Sequence, residues 1–287
     1  MIDSIVIQDL VKKYKNFQLG PIDFTLPQGS ITGIIGENGA GKTSCLKAIL
    51  NLNHPPNGSV KFWGQSLDNE GPKLKNDMAV IMDNNSFPDY VNPLQLSRIL
   101  APAYLNWNQK QYLSYLRDWQ LPIDRPLGKY SKGMKVQLSL VVALSHQARL
   151  LILDEPSNGL DPLMRSKLLD ILLDFVQNPD HSVLLSSHMT EDLEKIADRI
   201  LFLHKGQIVF HENKDKLRYD YGLISCSKKD FLSIKPEELL AYKEETYQYQ
   251  GLTINRKQFQ DRHPQIMVEN PHLDQFMDLI IKGDQPS

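Results

Sequence analysis

Short apolar runs recur along the chain and predict the strands of a sheet. Residues 22–26 alternate apolar and polar side chains, which is typical of a half-buried strand. Residues 30–35 and 150–154 are largely apolar, which is typical of a strand buried on both faces. Further strands are predicted at residues 4–7, 59–63, 78–82, 182–186, 200–203 and 207–210.

Helical spacing of apolar residues separates several of these runs. Residues 44–51 and 136–144 repeat apolar side chains at intervals of three and four, which predicts helices. Strands that alternate with helices predict an α/β protein with a largely parallel sheet. From residue 87 to 130 the spacing is helical and punctuated by prolines, so we predict a small helical subdomain inserted at about 87–135.

The pattern restarts after residue 214. Strands are predicted at 221–226 and 252–255, and helices at 236–242 and 273–281. We therefore predict a main domain over residues 1–214 and a small α+β appendage, the C-terminal accessory region, over 215–287.

A phosphate-binding motif lies between the strand at 30–35 and the helix at 44–51. Residues 36–43 read Gly-Glu-Asn-Gly-Ala-Gly-Lys-Thr and fit the pattern G-x-x-x-x-G-K-[ST] in its required strand–loop–helix setting. The glycines let successive N–H groups point at a phosphate, and the helix N-terminus adds partial positive charge. Lys42 can reach the β- and γ-phosphates, and the Thr43 hydroxyl can bind Mg²⁺. The sequence therefore predicts a nucleotide-phosphate site.

Polar residues at other predicted strand and helix ends complete this chemistry. Asp154 ends an apolar strand and is a natural Mg²⁺ partner, and Glu155 can orient or deprotonate a water molecule. His188 follows the strand at 182–186, at the sheet edge where these acids are expected, and can contact a γ-phosphate. Ser131 is a good helix N-cap, and Gly133 allows a second chain to approach the first turn, which makes a second anion-binding helix start.

An aromatic residue near the N-terminus is a candidate for the nucleotide base. Tyr14, in the turn after the first strand, can stack on a purine ring. The alternative is that Tyr14 or Phe17 simply packs beneath that turn.

Composition limits the partners and the location. The 287 residues carry a net charge of −2 without a dense basic block, so no nucleic-acid partner is expected. Cys45 and Cys226 are too few for a disulfide framework or a zinc site. No run approaches the about 18 apolar residues of a membrane span, and the N-terminus lacks signal-peptide features. We expect a cytoplasmic protein whose membrane role, if any, comes through a partner.

These residues together resemble the nucleotide-binding subunits of ATP-binding cassette (ABC) transporters. The resemblance covers about residues 2–213 and follows the family order: A-loop Tyr14, Walker A 36–43, signature 130–134, Walker B 150–154, catalytic Glu155, D-loop 157–161 and H-loop His188. The signature, D-loop and Ser-Ser-His-Met segment are similar to the bacterial ABC-2 exporter branch, and more narrowly to YtrB-like subunits and the ATPases of phenol-soluble-modulin exporters.

The resemblance implies a P-loop NTPase fold of the ABC cassette type and a set of site residues. It implies ATP contacts by Tyr14, Gly36, Glu37, Asn38, Gly39, Ala40, Gly41, Lys42, Thr43, Ser44, Ser131 and Gly133, catalysis by Glu155 and His188, and Mg²⁺ coordination by Thr43, Asp154 and Asp83. It also implies two cassettes that close head to tail on ATP, as a homodimer or a heterodimer. The other implied partner is an integral-membrane permease, and the resemblance places this chain in the cytoplasm, peripheral on the inner face of the cell membrane.

The chain departs from the family pattern in two motifs. The signature has Lys132 and Met134 at its variable places. The second departure is Asp83, which stands where the family has the Q-loop glutamine. Either Asp83 takes that role or coupling to the helical subdomain differs, and if Asp83 is only a turn residue, Asn84 or Asn85 faces the site.

The sequence thus predicts an ATP-hydrolysing subunit of a transporter, specifically of an exporter. The alternatives are a non-transport ABC ATPase with a regulatory role and a sensing or immunity role in which nothing is pumped. A single cassette without heptad repeats argues against the regulatory class, whose members carry paired cassettes or a long coiled coil.

Overall fold

The computed structural model describes residues 2–52, 57–82 and 87–285. The strands are β1 (Ile5–Tyr14), β2 (Phe17–Leu26), β3 (Ile31–Ile35), β4 (Asn57–Phe62), β5 (Met78–Ile81), β6 (Leu150–Asp154), β7 (Ser182–Ser187), β8 (Arg199–His204), β9 (Gln207–Asn213), β10 (Gly222–Cys226), β11 (Leu239–Glu244), β12 (Tyr249–Thr253) and β13 (Met267–Glu269). The helices are α1 (Lys42–Ile49), α2 (Leu67–Asn76), α3 (Pro93–Leu100), α4 (Gln109–Asp118), α5 (Lys132–Ser145), α6 (Pro162–Phe175), α7 (Thr190–Ile196), α8 (Lys214–Tyr219), α9 (Lys228–Phe231), α10 (Arg256–Arg262) and α11 (Leu273–Lys282).

A six-stranded sheet in the order β5-β6-β7-β3-β8-β9 forms the centre of the molecule. Its first five strands are parallel, and β9 pairs antiparallel with β8. Strands β3, β6 and β7 are buried along their whole length, as expected for apolar strands covered on both faces. Because these three strands are adjacent and parallel, the segments that follow them meet at one edge of the sheet.

A three-stranded antiparallel sheet, β2-β1-β4, packs beside the central sheet. Helix α1 lies between the two, and Leu46 and Ile49 of this helix join one hydrophobic cluster with Ile7 and Leu201. Strand β1 is longer than the predicted 4–7, because its polar second half pairs with β2 as far as Tyr14.

The predicted helical insertion is present as α3 and α4, which pack against α5. Asn92 caps α3 with a reciprocal capping box, and Pro93 takes the first helical position, where its missing N–H costs nothing. The side chains of Tyr112 and Leu116 of α4 are fully buried in a cluster with Leu138 of α5. These apolar positions fix the insertion against the helix that Ser131 begins.

The C-terminal residues form a four-stranded antiparallel sheet, β11-β12-β10-β13, with helices. The α+β character matches the expectation, and α11 begins where it was predicted. The helix predicted at 236–242 is wrong: residues Pro236–Glu238 form a single 3-10 turn and β11 follows. Burial in β11 alternates, with Leu239 and Ala241 inward, and a short apolar run does not distinguish this from a helical stripe.

The appendage shares its core with the rest of the chain. Phe276 of α11 lies 4.8 Å from Phe210, 5.7 Å from Phe202 and 5.3 Å from Tyr221, measured between ring centroids. Phe202 lies in β8, which pairs with β3 directly ahead of the phosphate-binding loop. One continuous hydrophobic cluster therefore joins α11 to the sheet that holds the site.

Both cysteines are buried free thiols. Cys45 lies in α1, and burial raises its pKa to about 12. Cys226 ends β10, and burial raises its pKa as well. Among residues 2–52, 57–82 and 87–285, no helix combines the length and the apolar character that crossing a bilayer requires.

Candidate nucleotide site

The phosphate-binding loop connects β3 to α1, as the sequence predicts. Gly41 has φ 107°, and a Cβ there would lie 2.7 Å from the Phe17 ring. A Cβ on Gly36 would lie 2.3 Å from the carbonyl oxygen of Leu203. Both positions therefore need glycine, one for its backbone conformation and one for close approach.

The turn between β8 and β9 supports this loop. The N–H of Gly206 donates to the carbonyl of Ala40 at 2.8 Å, while its own carbonyl accepts from the N–H of Gly20 in β2 at 2.7 Å. This turn was not among the sequence candidates, because its partners are far away along the chain. A Lys-Gly pair between two apolar runs is the only sequence signal it leaves.

Lys42 is the first residue of α1 and is almost fully buried. Its Nζ donates to the carbonyl oxygens of Gly36 at 2.7 Å and Glu37 at 3.2 Å. It also forms an ion pair with Glu155 Oε1 at 3.1 Å. The loop residues Glu37, Asn38 and Gly39 are exposed, so the loop is open to solvent beside a cation held by three oxygens.

A hydrogen-bonded chain links α1, β6 and β7. The hydroxyl of Thr43, in the first turn of α1, donates to Asp154 Oδ2 at 2.8 Å. The other carboxylate oxygen of Asp154, Oδ1, accepts from the Ser186 hydroxyl at 2.7 Å. Asp154 ends β6 and is buried, so both of its oxygens are satisfied by neighbouring hydroxyls.

Glu155 lies between Lys42 and His188. Its Oε2 lies 2.5 Å from His188 Nδ1 and accepts from the His188 backbone N–H at 3.2 Å. The backbone of Glu155 has φ 49°, a left-handed conformation that is uncommon for a non-glycine residue. The sheet edge therefore brings together Lys42, Thr43, Asp154, Glu155 and His188, as the parallel strand order requires.

The second predicted anion site stands at the start of α5. Ser131 is the N-cap, and its exposed side chain accepts from the N–H of Met134 at 3.2 Å. A Cβ on Gly133 would lie 3.5 Å from Leu160, so this turn packs beside the predicted D-loop. A cleft of about 390 Å³ separates α5 from the acidic residues, and it is lined by Tyr130, Lys132, Lys135, Asp154 and Glu155 among others.

The remaining candidates are more peripheral. Tyr14 is the last residue of β1, with its ring 5.8 Å from that of Phe17, and 39% of its surface is exposed. The Phe17 ring lies beside Gly41 of the phosphate-binding loop, and the Tyr14 ring lies farther out, with Lys12 Nζ 5.9 Å from its centroid, so base stacking by Tyr14 stays a prediction. Ser44 lies in the first turn of α1 and is half-buried. Asp83, Asn84 and Asn85 lie outside the described residues.

The donor set suits a hard divalent cation such as Mg²⁺. Thr43 and Asp154 already place two oxygen ligands 2.8 Å apart beside the phosphate-binding loop. Mg²⁺ usually binds through one or two protein oxygens together with water and nucleotide phosphates. In the described part of the chain, no group of three or more His, Cys, Asp or Glu side chains is placed to hold a metal ion.

A glycine loop between a strand and a helix, with two acidic residues at the end of another parallel strand of the same sheet, defines a P-loop nucleotide-binding protein. The chain matches the family described as ABC transporter over residues 19–158. It is 31% identical to the ABC transporter ATP-binding protein YtrB of Bacillus subtilis (strain 168), covering 72% of this chain and 70% of that protein. The chain belongs to the ATP-binding subunits of ABC transporters, a family of ATPases.

Other relatives and solved structures are similar over about three quarters of this chain. The bacitracin transport ATP-binding protein BcrA of Enterococcus faecalis is 31% identical over 76% of this chain and 72% of its own length. The lantibiotic transport ATP-binding protein SrtF of Streptococcus pyogenes is 32% identical over 73% of this chain and 90% of its own. A structure of an ATP-binding subunit of an ABC transporter superposes with a TM-score of 0.67 at 26% identity, covering 75% of this chain and 91% of that one.

Proposed function

We propose that this chain hydrolyses ATP to drive export through a separate integral-membrane permease, with ATP closing two cassettes head to tail. The observation that carries the proposal is the convergence of Lys42, Thr43, Asp154, Glu155 and His188 in one hydrogen-bonded network. Export is supported by relatives named for bacitracin and lantibiotic transport. The chain would lie in the cytoplasm against the inner face of the membrane.

Each residue of the network has a definite task in this proposal. Lys42 neutralises the β- and γ-phosphates, while Glu155 orients and deprotonates the attacking water. Thr43 and Asp154 hold Mg²⁺, which when bound supplies charge neutralisation at the phosphates. His188 contacts the γ-phosphate, and its Nδ1 bond to Glu155 fixes the ring.

The other site residues contribute to binding and closure. The loop N–H groups of residues 36–44 surround the phosphates, and Tyr14 stacks on the base. Ser131 and Gly133 cover the nucleotide on the opposing cassette, which agrees with an exposed Ser131 and a half-buried Gly133 at a helix start. Whether Asp83 adds a metal ligand stays a prediction.

The phosphate-binding assignment is tested with Lys42→Ala. We expect loss of ATP binding or hydrolysis, because no other buried cation in the described residues lines the loop. Lys47→Ala is the matched control, since Lys47 lies in the last turn of the same helix. Full ATPase activity in Lys42→Ala would overturn the assignment.

The catalytic step and the dimer are tested together with Glu155→Gln. Hydrolysis should fall by roughly 10²-fold or more, the usual scale for loss of a general base. ATP binding should persist and trap a dimer that light scattering detects. A monomer at saturating ATP and Mg²⁺ would contradict a homodimer and favour a heterodimer with a second cassette.

The permease partnership is tested by fractionation. The chain is expressed alone and then together with any multi-span protein that a neighbouring gene encodes. We expect recovery in the membrane fraction only in the second case. Recovery in the soluble fraction under both conditions, with ATPase activity unaffected, would favour the alternative of a non-transport ABC ATPase with a regulatory role.

A further inference from the structure

Ser186, the first residue of the Ser-Ser-His-Met segment, occupies a central position in the network although the sequence assigned it no role. It lies in β7, directly opposite Asp154 of β6 in the parallel register, and it is fully buried. Its hydroxyl donates to Asp154 Oδ1 at 2.7 Å and accepts from the N–H of Glu155 at 3.1 Å. Its carbonyl oxygen accepts from the same N–H at 3.2 Å.

The first consequence concerns the orientation of Asp154. With Oδ1 bound to Ser186, the carboxylate turns Oδ2 toward the hydroxyl of Thr43. Asp154 is 3% exposed, so without Ser186 the Oδ1 atom would lose a partner that water does not easily replace. Ser186 therefore leaves Oδ2 as the oxygen of Asp154 that would face a metal ion held together with Thr43.

The second consequence concerns the backbone of Glu155. Its left-handed φ of 49° costs free energy for a residue with a Cβ, and such a conformation persists only where its surroundings hold it. Two acceptors on Ser186, the hydroxyl and the carbonyl, hold the Glu155 N–H. That turn aims the Glu155 side chain back at Lys42 and His188 instead of along the strand.

We propose that Ser186 is a positioning residue whose one hydroxyl sets both the metal-binding carboxylate of Asp154 and the water-activating carboxylate of Glu155. The inference rests on the proposed roles of those two residues in hydrolysis. Ser186 does not touch the nucleotide and acts through its two neighbours. Substitution therefore changes how the site uses Mg²⁺ and turns over ATP, and leaves metal-free nucleotide binding in place.

The test compares Ser186→Ala with Ser182→Ala. Ser182 lies at the other end of β7, is equally buried, and bonds Ser4 and the Pro27 carbonyl, away from the site. For Ser186→Ala we expect kcat to fall about 10- to 100-fold, the scale for a lost hydrogen bond to a charged group. The Mg²⁺ concentration at which half of the Mg²⁺-dependent gain in nucleotide affinity is reached should also rise about 10- to 100-fold. The nucleotide affinity measured in EDTA should stay within about two-fold of the wild-type value.

Two further variants separate chemistry from packing. Ser186→Cys fills about the same space, but its thiol is a weak hydrogen-bond donor and acceptor. It should therefore show the same loss of kcat and the same Mg²⁺ dependence as Ser186→Ala, and it replaces the alanine variant if that one folds poorly. Ser186→Thr retains the hydroxyl and should recover most of the rate. Wild-type Mg²⁺ dependence and kcat in both Ser186→Ala and Ser186→Cys would overturn the inference.

The nucleotide-affinity measurement distinguishes this inference from the proposed function. If the wild-type chain bound Mg²⁺ and nucleotide without hydrolysing ATP, the proposed function would fail. The Mg²⁺ dependence of binding in Ser186→Ala would still decide whether Ser186 positions Asp154. An equal loss of EDTA affinity in Ser186→Ala and Ser182→Ala would reduce Ser186 to a structural role and overturn the inference.

Discussion

Lys42 and Glu155 are each other's partners in this structure, although the proposed chemistry needs both of them at the phosphates. The two side chains are only 6% and 14% exposed, and their ion pair spans 3.1 Å. Nucleotide binding must therefore exchange the carboxylate on Lys42 for phosphate oxygens. Part of the nucleotide's binding free energy is spent on that exchange.

Removing the charge of Glu155 should therefore tighten nucleotide binding. For Glu155→Gln we expect the affinity for a non-hydrolysable ATP analogue to rise about 2- to 10-fold, the scale of one net hydrogen bond. Glu191→Gln is the matched control, because Glu191 pairs with Arg165 on the exposed side of α7. Calorimetric titration of the three proteins measures the effect, and unchanged or weaker binding in Glu155→Gln would refute it.

His146 makes the stability of the folded chain depend on pH. Burial lowers its pKa from 6.5 to about 4, and Asp77 opposes this in part. Neither ring nitrogen has a hydrogen-bond partner among the described residues. As the pH falls below 6.5, His146 therefore becomes protonated in the unfolded chain, whereas in the folded chain it stays neutral until about pH 4.

We predict that stability falls across this interval by up to about 1.4 kcal/mol per pH unit through His146. His146→Leu should remove that part of the slope, while His272→Leu, at an exposed position, should leave it. Urea denaturation at a series of pH values measures the slopes. Parallel pH profiles for wild type and His146→Leu would exclude this contribution.

At the scale of elements, the start of α5 combines two roles in one residue. Ser131 caps the helix through its hydroxyl, and the same hydroxyl is proposed to face the γ-phosphate on the opposing cassette. A cap tolerates aspartate as well as serine, whereas a phosphate does not tolerate a nearby carboxylate. The two roles are therefore separable by substitution.

We predict that Ser131→Asp keeps the stability of the chain but prevents ATP-driven dimerisation in the Glu155→Gln background. Ser131→Ala should lose about 1 kcal/mol through the missing cap. Urea denaturation measures the stability of the variants, and light scattering with ATP and Mg²⁺ measures their dimerisation. Normal dimerisation of Ser131→Asp would show that the hydroxyl faces elsewhere.

Element-level comparison also shows what the sequence can predict. The strand–loop–helix at 36–43 and the acids after β6 were predictable, because each is a local pattern in a parallel sheet whose strand ends meet. Ser186 and Gly206 were not, because their importance depends on which distant strand lies opposite. The helix at 236–242 failed for another reason, since the unbroken apolar run at residues 239–242 shows neither the helical nor the strand period.

At the scale of the whole molecule, α11 is part of the support of the nucleotide-binding sheet. Phe276 is buried against Phe202 and Phe210, so loss of its ring leaves a cavity beside β8. By contrast, Phe259 is equally buried but packs in a separate cluster within the appendage. The two phenylalanines therefore test how far the appendage stabilises the cassette.

We predict that Phe276→Ala lowers the free energy of unfolding by about 3–5 kcal/mol. All three tryptophans, at positions 63, 107 and 119, precede the appendage, so their fluorescence reports the cassette alone. The tryptophan transition in urea should shift strongly for Phe276→Ala and less for Phe259→Ala. Equal shifts for the two variants would contradict this distinction.

The two buried thiols report separately on the opening of the cassette and of the appendage, because each half of the chain contains one of them. Cys45 in α1 and Cys226 in β10 can meet an alkylating reagent only when the chain opens around them, and no other cysteine competes. Where the shared aromatic core makes cassette and appendage open as one unit, both thiols become available in the same event. Where the appendage opens by itself, Cys226 is alkylated first, and the delay before Cys45 follows measures how much stability the nucleotide-binding half retains alone.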